Sequence, residues 1–220
     1  MTIDLSHARV LVVGASGGIG GATADAFAAA GGTVERPGRG TLDITDDASV
    51  ERYFTDADPF DHVVVAAAQT RAGPVAGLAL ADARDAMNSK FFGAYRVAKA
   101  ARIYDGGSLT FVSGFLSTRP SATSVLQGAI NAALESLTRG LALERAPVRV
   151  NAVSPGLIDT RLWSGMAAAD RNAMFDKVAA HLPARRVGQP ADIAQAILFV
   201  ATNPFATGST VTVDGGGTIA

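Results

Sequence analysis

The sequence predicts an α/β protein built on a doubly wound parallel sheet with helices on both faces. Two observations predict it. Short continuous apolar runs alternate along the chain with longer Ala-rich stretches of helical character, and apolar runs without polar alternation are strands buried on both faces. The first run, Arg9-Val10-Leu11-Val12-Val13, passes through Gly14-Ala15-Ser16-Gly17-Gly18-Ile19-Gly20 into a helical stretch. Strand, glycine turn and helix in that order open a βαβ architecture.

The elements follow in order. Val10 to Val13 reads as a buried strand and Gly20 to Ala30 as an Ala-rich helix. Thr33 to Glu35 is a short second strand, and Gly40-Thr41-Leu42-Asp43-Ile44 leads into a third edge. Asp46 to Thr55 has a helical pattern with Thr45 or Asp46 as its cap. His62 to Ala66 is a strand, Leu80 to Arg102 one long helix, and Ser108 to Val112 the next strand. Ser124 to Arg145 is another long helix, followed by a strand from Val148 to Val153. Residues 161–182 are Met- and Ala-rich and helical, Ala191 to Thr202 is a last helix, and Thr210 to Val213 a last strand. The connection from the second strand to Asp43 is too short for a helical crossover, so a helix is expected to be missing there.

Length and composition fit one domain over residues 1–220, with residues 161–182 as a flap. Apolar residues make up 48% of the chain and charged residues 18%, the balance of a packed globular protein. A formal net charge of −1 argues against a nucleic-acid or anionic-membrane partner. The chain has no cysteine, which excludes disulfides, thiol catalysis and thiolate metal sites. His7, His62 and His181 lack metal-ligand spacing, so no metal site is expected. With no membrane-length apolar run or signal core, a cytoplasmic protein is expected.

The glycine turn is where chemistry enters. Its glycines let the backbone approach a pyrophosphate, and the free N–H groups of the following helix face the anion. The spacing here is G-x-x-x-G-x-G. In open α/β sheets ligands bind beyond the strand C-termini, where this turn lies.

Five blocks in the right order extend the signal along the chain. Gly14, Gly18 and Gly20 form the turn, and Leu42-Asp43-Ile44-Thr45-Asp46 is the second block. The third runs from Val148 through Ser154-Pro155-Gly156-Leu157-Ile158-Asp159-Thr160. Arg186-Val187-Gly188-Gln189-Pro190-Ala191-Asp192 and Val213-Asp214-Gly215-Gly216 complete the set. On these blocks the chain resembles the short-chain dehydrogenase/reductases over essentially its whole length. The resemblance implies a single-domain Rossmann fold and an NAD(P)-dependent oxidoreductase acting on a carbonyl or alcohol. It places Ser16, Ile19, Asp43, Ile44, Ala66, Ala67, Pro155, Gly156, Ile158 and Thr160 around the cofactor, with Asp43 and Ile44 at the adenine and Ile158 and Thr160 at the nicotinamide amide.

The catalytic positions depart from the family. Its members use a Tyr, a Lys four residues later, a Ser some thirteen residues before the Tyr, and an Asn on an earlier helix. Alignment on Ala132-Ala133-Leu134-Glu135 puts Asn131 at the Lys position and Gln127 at the Tyr position. Gly114 then stands where the Ser is expected, with Ser113 beside it as a substitute. On the earlier helix the gap-free alignment puts Lys90 at the Asn position, and Asn88 is the alternative. Lys and Asn have exchanged places and the phenol is gone. Gln127 cannot act as a general acid, because an amide does not titrate near neutral pH. Lys90, if desolvated, has a lowered pKa and can donate a proton or polarise a carbonyl, while Asn131 can bond a ribose hydroxyl.

Cofactor choice is read at the end of the second strand, where an acidic residue bonds a ribose 2′-OH and a basic one accepts a 2′-phosphate. Gly38 fills the acidic position and Arg39 follows it, with Arg36 a second candidate. This favours NADP, with NAD as the alternative if Glu35 serves as the ribose ligand. Phe115, Leu116, Thr123, Ser124 and Val125, with Leu162, Trp163, Met166, Met174 and Phe175, are the candidate wall for a small-molecule substrate. In relatives the two long helices pair across a twofold axis, so the resemblance implies a homotetramer or homodimer, with Ala94, Ala98, Ala133 and Leu137 offering close approach. Two functional classes remain open: a working oxidoreductase with a rearranged site, and a catalytically weak dinucleotide-binding relative acting as sensor or partner subunit.

Overall fold

The computed structural model describes residues 3–220. Six parallel strands form one sheet in the order β2-β1-β3-β4-β5-β6. The strands are β1 (Arg9–Val13), β2 (Thr33–Glu35), β3 (Phe60–Val65), β4 (Ile103–Val112), β5 (Arg149–Pro155) and β6 (Thr210–Val213). The helices are α1 (Gly18–Ala29), α2 (Asp47–Thr55), α3 (Leu80–Ala86), α4 (Gly93–Ala100), α5 (Val125–Glu144), α6 (Ala168–His181) and α7 (Pro190–Thr202). The doubly wound α/β expectation holds.

The apolar strands work because both of their faces are covered. In β1, Leu11 and Val13 pack with Val50 and Phe54 of α2, Val97 of α4 and Leu134 of α5 on one side of the sheet. Val10 and Val12 pack with Phe27 of α1 and Ile193 and Ile197 of α7 on the other. Successive side chains point to opposite faces, so a run apolar at every position builds both cores.

Three expectations need correction. Gly40–Ile44 is not a strand. The chain leaves the three-residue β2 in a loop and reaches β3 through α2 alone, so the sheet ends at β2. Leu42 and Ile44 are nevertheless buried. Ile44 packs so closely on Gly93 that a Cβ there would stand 2.7 Å from Ile44 Cδ1. The long helix of residues 80–102 is interrupted by a six-residue π-helical turn, Met87–Phe92, which its unbroken helical period did not disclose. The 161–182 segment is a short 3₁₀ turn at Arg161–Trp163 followed by α6.

Candidate active site at the strand C-termini

The carboxyl ends of β1, β3, β4 and β5 lie side by side, and the glycine turn sits on them. Gly14 has φ +91°, and a Cβ there would lie 2.6 Å from Ala67 N. Gly14 therefore serves twice, by its left-handed backbone and by letting the chain after β3 pass close by. A Cβ at Gly18 would meet Thr160 Cγ2 at 2.8 Å, so the bare start of α1 sits against the loop that follows β5. Helix α1 has no side-chain cap and no acidic residue in its first turn. Its free N–H groups and positive end suit an anionic phosphate, so the turn fits a dinucleotide.

Of the other cofactor candidates, Ala66, Ala67 and Thr160 sit against the glycines of this turn. Ala66 N donates to Val13 O at 2.9 Å, which docks the start of the loop after β3 on β1. Pro155 ends β5, and a Cβ at Gly156 would meet Asp214 Cα at 2.6 Å. Asp214 accepts from Gly216 N (2.9 Å) and Thr218 N (2.7 Å), so the last sequence block folds a turn against Gly156. Ile158 is buried and bridges Gly188, while Thr160 caps the 3₁₀ turn through Leu162 N. Asp43 accepts from Thr45 N (2.9 Å) and Thr45 Oγ1 (2.7 Å), and these bonds hold its carboxyl below the ordinary range. Ser16 and Arg39 are exposed. Ile19 packs on the β1–α7 core.

Glu35 is occupied. It accepts from Arg9 Nε (2.9 Å) and Nη2 (2.5 Å) and from the Tyr53 hydroxyl (2.8 Å). Burial and the Glu35 carboxylate push the Tyr53 phenol up.

Lys90 lies in the π-helical turn and reaches across to α5. Its Nζ donates to Asn131 Oδ1 at 2.6 Å and to Ser113 O at 2.7 Å. Asn131 is buried, and its Nδ2 donates to Gly114 O at 3.1 Å. Lys90 is half-buried, and desolvation lowers its pKa to about 8 against the opposing pull of Glu135. No carboxylate among the described residues lies within ion-pair distance of it. Of the two candidates on this helix, Lys90 is the one that meets Asn131. Asn88 donates instead to Thr45 O at 3.4 Å.

Ser113 takes part through its carbonyl. Its hydroxyl donates to Glu135 Oε1 at 2.9 Å, beside Ser117 Oγ at 2.7 Å, so the side chain expected in the pocket is engaged elsewhere. Gln127 is not in this cluster. Its Nε2 donates to Arg71 O in the loop after β3, and its Oε1 is buried without a partner. Glu135 was not foreseen, although its place four residues after Asn131 puts both on one helix face.

The neighbouring walls are partly assembled. Trp163 packs edge-on against Phe175 at 6.3 Å and donates to Ile158 O at 3.0 Å. Leu162 is exposed.

A family model described as enoyl-(acyl carrier protein) reductase matches residues 35–218. The chain is 32% identical to a putative ketoacyl reductase of granaticin polyketide synthase from Streptomyces violaceoruber, over 98% of both chains. The chain belongs to the short-chain dehydrogenase/reductase family. Another member, carbonyl reductase family member 4 of Danio rerio, is 34% identical over 61% of this chain. The chain spans about half of that relative, 56% of its length. Among solved structures, a small-chain dehydrogenase in complex with NADPH superposes with a TM-score of 0.93 at 40% identity, covering 97% of this chain and 99% of that one. Family membership fits both the sheet order and the cradle on its carboxyl edge.

Proposed function

We propose that this protein is an NADP(H)-dependent oxidoreductase of the short-chain type, reducing a small carbonyl substrate through a rearranged site in which Lys90 is the proton donor. The observation that carries the reading is the pair of short bonds from Lys90 Nζ to Asn131 Oδ1 and Ser113 O. An ammonium has three N–H donors, and these acceptors take two, leaving one for a substrate oxygen. After transfer the neutral amine keeps two N–H groups for the same two acceptors and turns a lone pair toward the substrate. The side chain thus holds one pose in both protonation states.

A bound nicotinamide dinucleotide supplies the hydride that reduces the carbonyl carbon. Residues Gly14 to Gly20 would hold its pyrophosphate, Asp43 and Ile44 its adenine, Asn131 a ribose hydroxyl, and Ile158 and Thr160 the amide. The chain's own part in the chemistry is to deliver the proton from Lys90, with Asn131 and the Ser113 carbonyl fixing the donor. The flap of residues 161–182, with Trp163 against Phe175, would cover the substrate and limit water.

The expected result for Lys90→Ala is a fall in kcat of roughly 10²–10⁴, the usual worth of a positioned acid, with Lys90→Met failing likewise. Because the donor must be protonated and titrates at about 8, carbonyl reduction should fall as pH rises through that value, while alcohol oxidation should rise. Turnover like the wild type's in Lys90→Ala, measured over a panel of carbonyls with NADPH, overturns the assignment. NADPH binding without turnover on any substrate moves the protein to the sensor or partner-subunit reading.

NADP preference is supported at the second strand. Glu35 is tied to Arg9 and Tyr53, and Arg39 is exposed beside the adenine segment. Arg39→Ala should weaken NADPH by about 1.5–3 kcal/mol, as a charged hydrogen bond is lost, and leave NADH unchanged. Calorimetric titration giving equal affinities for both cofactors, before and after the change, defeats the preference.

A further inference from the structure

We infer that Glu135 is a positioning residue for Lys90, acting by clamping the segment whose carbonyls hold the Lys90–Asn131 pair, with its carboxylate bound to the hydroxyl of the same Ser113 whose carbonyl takes the ammonium; this rests on Lys90 being the proton donor. The geometry is specific. One oxygen, Glu135 Oε1, accepts both the Ser113 hydroxyl (2.9 Å) and the Ser117 hydroxyl (2.7 Å). These serines flank Gly114, at the end of β4 and in the 3₁₀ turn Phe115–Ser117. The backbone between them carries the two acceptors that matter: Ser113 O takes Lys90 Nζ, and Gly114 O takes Asn131 Nδ2. Ser117 also donates to Gly114 O through its N–H at 3.1 Å. Glu135 stands one helical turn beyond Asn131, so a single stretch of α5 presents both the partner of the ammonium and the clamp on its other acceptor.

The clamp is charged without an obvious structural reason to be. No Lys, Arg or His nitrogen lies within 4.0 Å of Glu135 among the described residues, and a Gln could accept the same hydroxyl bonds. The segment 113–117 has no ionisable side chain. Arg96, on the helix after the π-helical turn, is engaged by Asp47, and Arg71 of the loop after β3 pairs with Asp82 at 3.4 Å. Glu135 is therefore the charge placed to act on Lys90, and its field opposes the desolvation of the ammonium. It keeps a half-buried donor loaded.

The chain makes this directly measurable, because Lys90, Lys99 and Lys177 are its only lysines. Lysine labelled with ¹³C at the ε-carbon gives three NMR signals, and Lys90→Met identifies the one from Lys90. In Glu135→Gln the Lys90 signal should titrate about 0.5–1 pH unit lower than in the wild type, as one opposite charge nearby is removed, while Lys99 and Lys177 stay put. The pH limb of carbonyl reduction should move with it, and KM for NADPH should hold. Glu135→Asp keeps the charge but withdraws the oxygen from the two hydroxyls. It should lower kcat about three- to tenfold, a loss of the size a slightly misplaced donor produces, with the Lys90 titration nearer the wild type than in Glu135→Gln. An unmoved Lys90 titration in Glu135→Gln, or undiminished kcat in Glu135→Asp, overturns the inference. If Lys90→Ala still abolishes turnover in that case, the donor assignment survives. If Lys90→Ala turns over normally, the donor assignment falls independently of any NMR shift.

Discussion

Gly114, the position the sequence alignment sets against the family's Ser, has no room for a side chain because of its neighbour. A Cβ at Gly114 would stand 2.7 Å from Asn131 Nδ2, so a side chain at 114 and an amide at 131 compete for the same space. The bare Gly114 and the amide of Asn131 are therefore coupled through the space they share. Gly114→Ser should not restore a family-like site. It should displace Asn131, break its bond to Gly114 O and destabilise the fold by about 1–3 kcal/mol, the usual cost of overpacking. In an Asn131→Ala background the same substitution should cost markedly less, and denaturant unfolding of the four variants measures that coupling. Equal costs in both backgrounds would show that the two sites are independent. That Lys90 and Asn131 share one pocket was legible from the sequence, because aligned positions are enough to propose it. That Ser113 would contribute its carbonyl, or that Glu135 would hold its hydroxyl, was not legible. Both depend on which way a side chain turns at the end of a strand, and residue type does not specify that.

Among the elements, the glycine turn and the π-helical turn contrast in how they reveal themselves. The glycine turn is written in residue types, since only glycines permit the close approaches of Gly14 to Ala67 and of Gly18 to Thr160. Gly18→Val should push Thr160 out of place and weaken dinucleotide binding by about tenfold or more, because on the proposed reading the Thr160 loop and the start of α1 hold the same ligand. Circular dichroism should show the fold retained. Normal calorimetric binding by Gly18→Val would remove the turn from the site. The π-helical turn Met87–Phe92 is silent in the sequence. Its residues have ordinary helical periodicity, and its cause is tertiary, as the side chains of Asn88, Ser89 and Lys90 each find a partner outside the helix. The missing strand at 40–44 has a related explanation. Leu42 and Ile44 are apolar because they are buried, and burial in a loop against Gly93 leaves the same mark on a sequence as burial in a sheet.

For the whole molecule, the order of blocks was enough to foresee the sheet and the glycine turn at its carboxyl edge, whereas two of the four residues expected to offer close approach between copies face inward. Ala94 and Ala98 are buried in this chain's own core, and Leu137 packs against it. Phe92 and Tyr95 are exposed on this flank, at 46% and 48%. They border a concavity of about 690 Å³ lined also by Val50, Phe54 and Lys99. A homodimer or homotetramer formed on this flank should be seen by light scattering at micromolar concentration, and Tyr95→Asp should shift it toward monomer, since a charge placed in an apolar contact is costly. A monomeric mass for the unmodified protein defeats the expectation.

The π-helical turn also governs how the kinetics of this protein can be read. Its three consecutive side chains tether three separate loops: Asn88 holds Thr45 beside the adenine segment, Ser89 Oγ accepts from Gln69 N at 2.7 Å in the loop after β3, and Lys90 holds Ser113. Arg96 adds a cross-link by donating to both Ile44 O and Asn88 O. On the proposed function, cofactor affinity and the proton-transfer step therefore share one mechanical mount. A substitution anywhere in that turn should move KM for the cofactor and kcat together, so the two parameters cannot be assigned to separate residues there as they can elsewhere in the site.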